Sequence, residues 1–241
     1  MLFGLDFEWL ADPLYLGWLL DGLGTTLALT GAGTLLMLSI GVAGAAIIHF
    51  NIPLVKPLTI IMIDLFRNTP PLVQLFFLYF MLSDLGLYYT DGATGERVPL
   101  LSGFACVVIS LALYNGSIAI EIIRSGINSV PRQTVEGAIS LGYSRVQIFR
   151  WVELPIALRL TIPNMTSNVV SLIKTSAQAA LVGVTDIMFY ATQVTLETFL
   201  NLEVMIVLWL TYLVITTFVV FFAKLLARVL TIPGFGGGAM K

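Results

Sequence analysis

Glu136-Gly-Ala-Ile-Ser-Leu-Gly142, nine further residues, then Val152-Glu-Leu-Pro155 form a polar, glycine-punctuated stretch inside an otherwise strongly apolar chain. Ser129 followed by Pro131 suits a helix start, because proline lacks an N–H that would be orphaned there anyway. The helix runs through Glu136 and Ala138 to Leu141 and meets Gly142, which can take the left-handed geometry of a helix end. Ser144, three residues before Gln147, makes a capping box for a second short helix from Arg145 to about Glu153. Pro155 lacks the backbone donor needed to carry that helix more than a further turn. The expectation is two short helices around a glycine turn, with Val135, Ala138, Ile139, Val146, Ile148, Phe149 and Val152 as apolar surface. Such a hairpin either lies on a lipid surface or fills a groove on another protein.

What surrounds the stretch is membrane. Hydrophobic residues make up 58% of 241 positions and charged residues 11%, and the mean hydropathy is +0.95, far from the balance of a water-soluble domain. Five apolar runs reach the roughly 20 residues a bilayer crossing needs: about 20–49, 58–82, 100–123, 161–185 and 204–230. The N-terminus lacks the basic region and small-residue cleavage site of a signal peptide, so the first run is expected to stay as a helix. Lys56, then Arg124, Arg132, Arg145, Arg150 and Arg159, then Lys224, Arg228 and Lys241 fall in alternate segments, while the opposite segments hold Arg97 against many acids. The positive-inside rule therefore puts the N-terminus outside, the C-terminus inside and the 124–159 loop in the cytoplasm. In the first span Gly22, Gly24, Gly31, Gly33, Gly41 and Gly44 offer small-residue faces for close helix approach. The chain is expected to be one all-α membrane domain over 1–241.

The stretch resembles the EAA loop of binding-protein-dependent ABC importers, whose usual form is E-A-A, three residues, G, nine residues, I-x-L-P. Gly137 replaces the middle alanine and Val152 the isoleucine, with all spacings kept. The likeness extends to Gly22-Leu-Gly-Thr-Thr26, Arg67-Asn-Thr-Pro70-Pro-Leu-Val-Gln74 and Glu121-Ile-Ile-Arg124, and so to the polar amino acid branch of these permeases. Tyr15-Leu-Gly-Trp18, Pro163-Asn-Met-Thr-Ser167, Lys174-Thr-Ser-Ala177 and the tail Ile232-Pro-Gly-Phe-Gly-Gly237 look closest to the membrane subunits of glutamate/aspartate importers. The commoner family form K-D-T-S-L becomes Lys174-Thr-Ser-Ala-Gln178 here. The resemblance implies a type I, MetI-like transmembrane domain in the bacterial inner membrane, with Glu136, Gly137, Ala138, Gly142, Leu154 and Pro155 in a coupling helix that docks on an ATP-binding subunit. It also implies a second permease subunit, identical or distinct, a pair of ATP-binding subunits and an extracytoplasmic substrate-binding protein.

Lys174 lies about 11 residues beyond Pro163, which at ~1.5 Å per residue is roughly 16 Å into the fourth span. A charge at that depth faces protein or a watery cavity. Lys174, with Asn168, Ser171, Ser176 and Gln178, is a candidate translocation path for an anionic substrate; the alternative is a structural pair with Asp64 or Glu121. Arg67 sits at a break in the helical pattern, Arg67-Asn-Thr-Pro70-Pro71, and either lines a cavity or snorkels and pairs with Asp64. Glu121 and Arg124, three apart, are expected to pair. Asn115 has no assignable role, and His49 reads as an interfacial residue. Cys106 is alone, which excludes an internal disulfide or thiolate cluster. With no phosphate-binding G-x-x-x-x-G-K-[ST] loop and no H-E-x-x-H, neither a cofactor nor a metal is expected, and any ATP is hydrolysed by a partner. An ion-coupled transporter or channel is the competing class, with Lys174, Asp64 and Glu121 as a charge relay.

Overall fold

Helices account for most of the described residues, and several boundaries have a local cause. The computed structural model describes residues 5–85, 88–90, 97–99 and 101–230; the tail from Ile232 and the last lysine lie outside them. Helix α1 (Pro13–His49) begins well before residue 20, because Asp12 accepts the Leu14 N–H and Pro13 occupies the first turn. Its 37 residues give a rod of about 56 Å, longer than a perpendicular crossing requires.

The run expected over 58–82 is two helices, α2 (Val55–Arg67) and α3 (Pro71–Asp84). Pro70 and Pro71 remove consecutive backbone donors, so a single helix cannot pass. The buried Gln74 side chain splints the break, its amide donating to the Phe66 carbonyl at 2.7 Å, the Thr69 carbonyl at 2.9 Å and Thr69 Oγ1 at 2.6 Å. A short antiparallel pair follows, β1 (Tyr88–Thr90) against β2 (Arg97–Pro99). Helix α4 (Gly103–Asn128) starts at a Ser102 cap, whose hydroxyl accepts the Ala105 N–H.

The hairpin region comprises α5 (Arg132–Ser140), α6 (Arg145–Ile148), a π-helical turn (Phe149–Glu153) and α7 (Leu154–Leu160). Then come α8 (Ile162–Ser176), a 3₁₀ turn (Ala177–Val182), α9 (Ile187–Thr198) and α10 (Asn201–Val229). The fourth expected run thus bends: α8 with its 3₁₀ extension meets α9 at 54°, across a linker that begins at Gly183 with φ +74°. Among the described residues, α1, α4 and α10 are long and apolar enough to cross a membrane alone, and the bent pair qualifies as a fourth crossing.

The most extensive packing is α1 along α4. It is close because glycines on each helix receive side chains of the other: a Cβ added at Gly41 would stand 2.9 Å from Ala119 Cβ, and one at Gly116 would stand 2.8 Å from Ile40 Cγ2. Gly44 faces Ile120 and Gly22 faces the Ile187 backbone, whereas Gly24 and Gly31 look into open space. Only part of the expected glycine face is therefore used inside the chain. The central core comprises Leu29, Met37, Val107, Leu111, Leu172 and Ala179. Asn115 and Asn168 run through it, with Asn168 donating to the Asn115 carbonyl at 2.9 Å and to Met37 Sδ at 3.4 Å.

Candidate functional site

The hairpin is built as two faces. Pro131 caps α5 from outside and is not its first residue. Gly142 ends the first helix with φ +80°, and the Ser144–Gln147 capping box forms in both directions. The second helix does not stop at Pro155. The Leu154 N–H reaches back five residues to the Phe149 carbonyl, so the π turn widens the ladder just where proline would clash and leave a carbonyl unpaired. The helix continues to Leu160.

On the inner face, Ala138, Ile148 and Phe149 are buried. Phe149 packs with Ala45, Ile123, Ile127 and Ala157, and its ring sits 5.0 Å from both His49 and Phe50 at the end of α1. His49 Nε2 is 3.2 Å from Glu153 Oε2, so this interfacial histidine ties α1 to the π turn. Gly126 lets α4 meet α7: an added Cβ would lie 2.6 Å from Thr161 Cγ2 and 2.9 Å from the Ala157 carbonyl oxygen. The outer face is apolar and open, with Ile139 58%, Leu141 79%, Val146 62% and Trp151 65% exposed. Glu136, Gly137 and Gly142 are exposed beside it, Leu154 and Pro155 are half-buried, and Arg132, Arg145 and Arg150 are exposed around it. Of the expected apolar surface, Ala138, Ile148 and Phe149 anchor the hairpin, while Ile139 and Val146 face outward.

The polar residues of the apolar segments separate into different environments. Arg67 pairs with Glu121 across α2 and α4, and not with Asp64; Glu121 is thereby taken from Arg124. The pair couples the end of the broken segment to α4, since the guanidinium reaches across the helix gap where Arg124, on the same helix as Glu121, does not converge. Asn168 and Ser176 are buried, Asn168 bonding to Asn115 and Ser176 donating to the Ile173 carbonyl at 2.8 Å. Both lie within the helix packing. Gln178 borders a small cavity with Ser110, Tyr114 and Thr175. Lys174 and Ser171 open instead on a groove of about 630 Å³ between α8 and α10, which also exposes Thr166, Ser167 and Lys224. Among the described residues Lys174 forms no ion pair, so neither Asp64 nor Glu121 is its partner. Lys224, which sequence reading used only to orient the chain, joins Lys174 because α10 returns antiparallel beside α8.

The family model of binding-protein-dependent transport system inner membrane components matches residues 36–232, covering the hairpin, the groove and every helix between. The chain belongs to that family. The permease is 36% identical over 163 residues to the L-cystine transport system permease protein TcyL of Bacillus subtilis, covering 68% of this chain and 66% of the relative. It is 30% identical over 181 residues to the glutamate/aspartate import permease protein GltJ of Escherichia coli, covering 73% and 72%. An amino acid ABC transporter crystallised with histidines superposes with a TM-score of 0.78 at 27% identity, over 93% of this chain and 98% of that one. The inward-facing MetNI methionine transporter shares the fold, with a TM-score of 0.71 at 16% identity over 92% and 100%. This is a multi-pass, all-α permease subunit of an ABC transporter, related to polar amino acid importers, and not itself the catalytic subunit.

Proposed function

We propose that the permease carries acidic amino acids, glutamate or aspartate, into the cytoplasm as half of a transmembrane pair. The observation that carries this reading is the groove between α8 and α10. Two lysines, Lys174 and Lys224, and the hydroxyl residues Thr166, Ser167 and Ser171 line it with no carboxylate among the lining residues. Lysine within a membrane groove attracts an anion more strongly than in water, because the surrounding dielectric is low. The likeness to GltJ points the same way, while TcyL shows that the family admits other cargo.

In this reading the chain crosses the membrane five times, with α2 and α3 making one broken crossing, the N-terminus outside and the hairpin and C-terminus in the cytoplasm. The hairpin, with Glu136, Gly137, Ala138, Gly142, Leu154 and Pro155, is the coupling element that docks on one of two ATP-binding subunits. A second permease, the distinct subunit of a heterodimer, closes the groove from the other side, and an extracytoplasmic binding protein delivers substrate. Closure of the ATPases pulls the paired hairpins together and opens the path outward, and hydrolysis resets it.

Lys174→Met tests the substrate class. The variant should raise the KM for labelled glutamate and aspartate roughly 10-fold or more, the equivalent of one lost charge-assisted hydrogen bond, and change uptake of uncharged amino acids much less. An unchanged concentration dependence for the acidic substrates contradicts the assignment.

A further inference from the structure

Two acidic side chains are buried among the described residues, Asp186 and Glu203. Glu203 keeps 8% exposure and faces the Asp6 N–H. Asp186 is wholly enclosed at 0%. One of its oxygens, Oδ1, accepts the Phe189 N–H at 2.9 Å and so caps α9; the other, Oδ2, is sealed from solvent with no hydrogen-bond partner among the described residues. No lysine, arginine or histidine pairs with it there.

Three further hydroxyls converge on this point from three other helices. The Tyr212 hydroxyl of α10 is likewise sealed from solvent; it lies beside the Asp186 carboxyl and against the Ser176 and Thr26 hydroxyls. Thr26 of α1 is fully buried, its oxygen accepting the Ile187 N–H at 3.1 Å. Ser176 of α8 is fully buried and uses its proton on the Ile173 carbonyl, which leaves its lone pairs free. Gly22 brings α1 close enough that an added Cβ would stand 2.9 Å from the Asp186 carbonyl oxygen. The position is the break of the bent α8–α9 pair, and breaks of this kind hold coupling ions in secondary transporters.

A carboxylate enclosed this completely, with no lysine, arginine or histidine paired to it among the described residues, carries a large desolvation cost; a cation joining it relieves that cost. We propose that Asp186, Tyr212, Ser176 and Thr26 form a site for one small hard cation, a proton or a sodium ion, held where α1, α8, α9 and α10 meet. Its donors are all oxygen, the set preferred by hard cations. The facing groups are Tyr212 from α10, Thr26 from α1 and Ser176 from α8, with the Phe189 N–H on α9 itself. Occupancy bolts the four helices together, and vacating the site leaves a bare charge that drives them apart. The site is separate from the substrate groove and holds whatever the cargo.

The test is thermal unfolding of the purified full chain in detergent, with sodium chloride exchanged for choline chloride at constant ionic strength, and separately across pH 5–9 in choline. If the cation is sodium, the midpoint rises by about 3 °C or more with sodium. If it is a proton, sodium is without effect and the midpoint falls as pH rises, because the folded site holds a proton that the unfolded chain has released. In the sodium case Asp186→Asn abolishes the response, and in the proton case it flattens the fall relative to the wild type. A wild-type midpoint indifferent to both, or an Asp186→Asn variant with the wild-type response, overturns the proposal. If Asp186→Asn does not fold, Tyr212→Phe keeps the carboxylate and should shift the half-maximal sodium concentration, or proton concentration, at least about 3-fold; an unshifted response then overturns it.

Discussion

Gly126 and Gly24 are the same residue type on neighbouring helices, and the structure gives them opposite consequences. At Gly126 a methyl group would enter the Thr161 side chain and the Ala157 backbone, and backbone cannot give way as a side-chain tip can. Gly126→Ala should lower stability by roughly 1–3 kcal/mol, read as a lower unfolding midpoint in detergent. Gly24→Ala, with nothing within 4 Å, should leave the midpoint within about 0.5 kcal/mol of the parent. Sequence nominates Gly24 among the glycines of the first span and does not single out Gly126, since the difference depends on which turn of each helix faces another. The same limit applies to the charged residues. That Arg67, Glu121 and Lys174 sit in apolar surroundings is legible, whereas Arg67 choosing Glu121 and Lys174 joining Lys224 require the order in which helices stand side by side. The Arg67–Glu121 pair is substantially exposed, and a surface pair of that kind contributes at most about 1 kcal/mol, so its role is positional.

At the scale of elements, the hairpin was readable because its signals are local. A glycine with positive φ at 142 and a reciprocal cap at Ser144 and Gln147 depend on a few neighbouring residues. Its continuation past Pro155 was not readable, because a π turn is a response to packing, here the burial of Phe149 under His49 and Phe50. For the same reason the second apolar run showed its break at Pro70–Pro71, yet the Gln74 splint across it depends on a side chain folding back. Phe149 joins the hairpin to α1 by packing. Phe149→Ala should destabilise by about 3–5 kcal/mol in proportion to its burial. In the assembled transporter it should let ATP hydrolysis continue while substrate uptake falls at least about 10-fold, because the hairpin moves without dragging α1 and α4. Equal losses of hydrolysis and uptake would show that the residue serves folding alone.

For the whole molecule, composition settled the membrane class and the apolar runs located α1, α4 and α10 within a few residues at most ends. The bend between α8 and α9 escaped because Gly183 and Asp186 sit at the edge of an apolar stretch whose hydropathy does not register direction. The fold matches that of amino acid and methionine importers across nearly its full length, so its logic is that of a subunit shaped for assembly. Two regions of its exposed apolar surface differ in character. One is the long face of α10, where Trp209, Val214, Phe218 and Phe221 are open as lipid or a second permease would accept. The other is the hairpin tip, where apolar side chains stand among arginines and Glu136.

The tip carries the central claim, that motion generated elsewhere enters the permease through the hairpin. Leu141 is its most exposed apolar side chain at 79%, and Cys106 is buried, so a cysteine placed at 141 is the one to react in an otherwise native chain. Thiol cross-linking of Leu141→Cys in inverted membrane vesicles, with the permease expressed alongside its ATP-binding subunit, should yield a product joining the two whose amount changes when ATP is added. Labelling of position 141 from the opposite membrane face, or a product lacking the ATP-binding subunit in every nucleotide state, would contradict it.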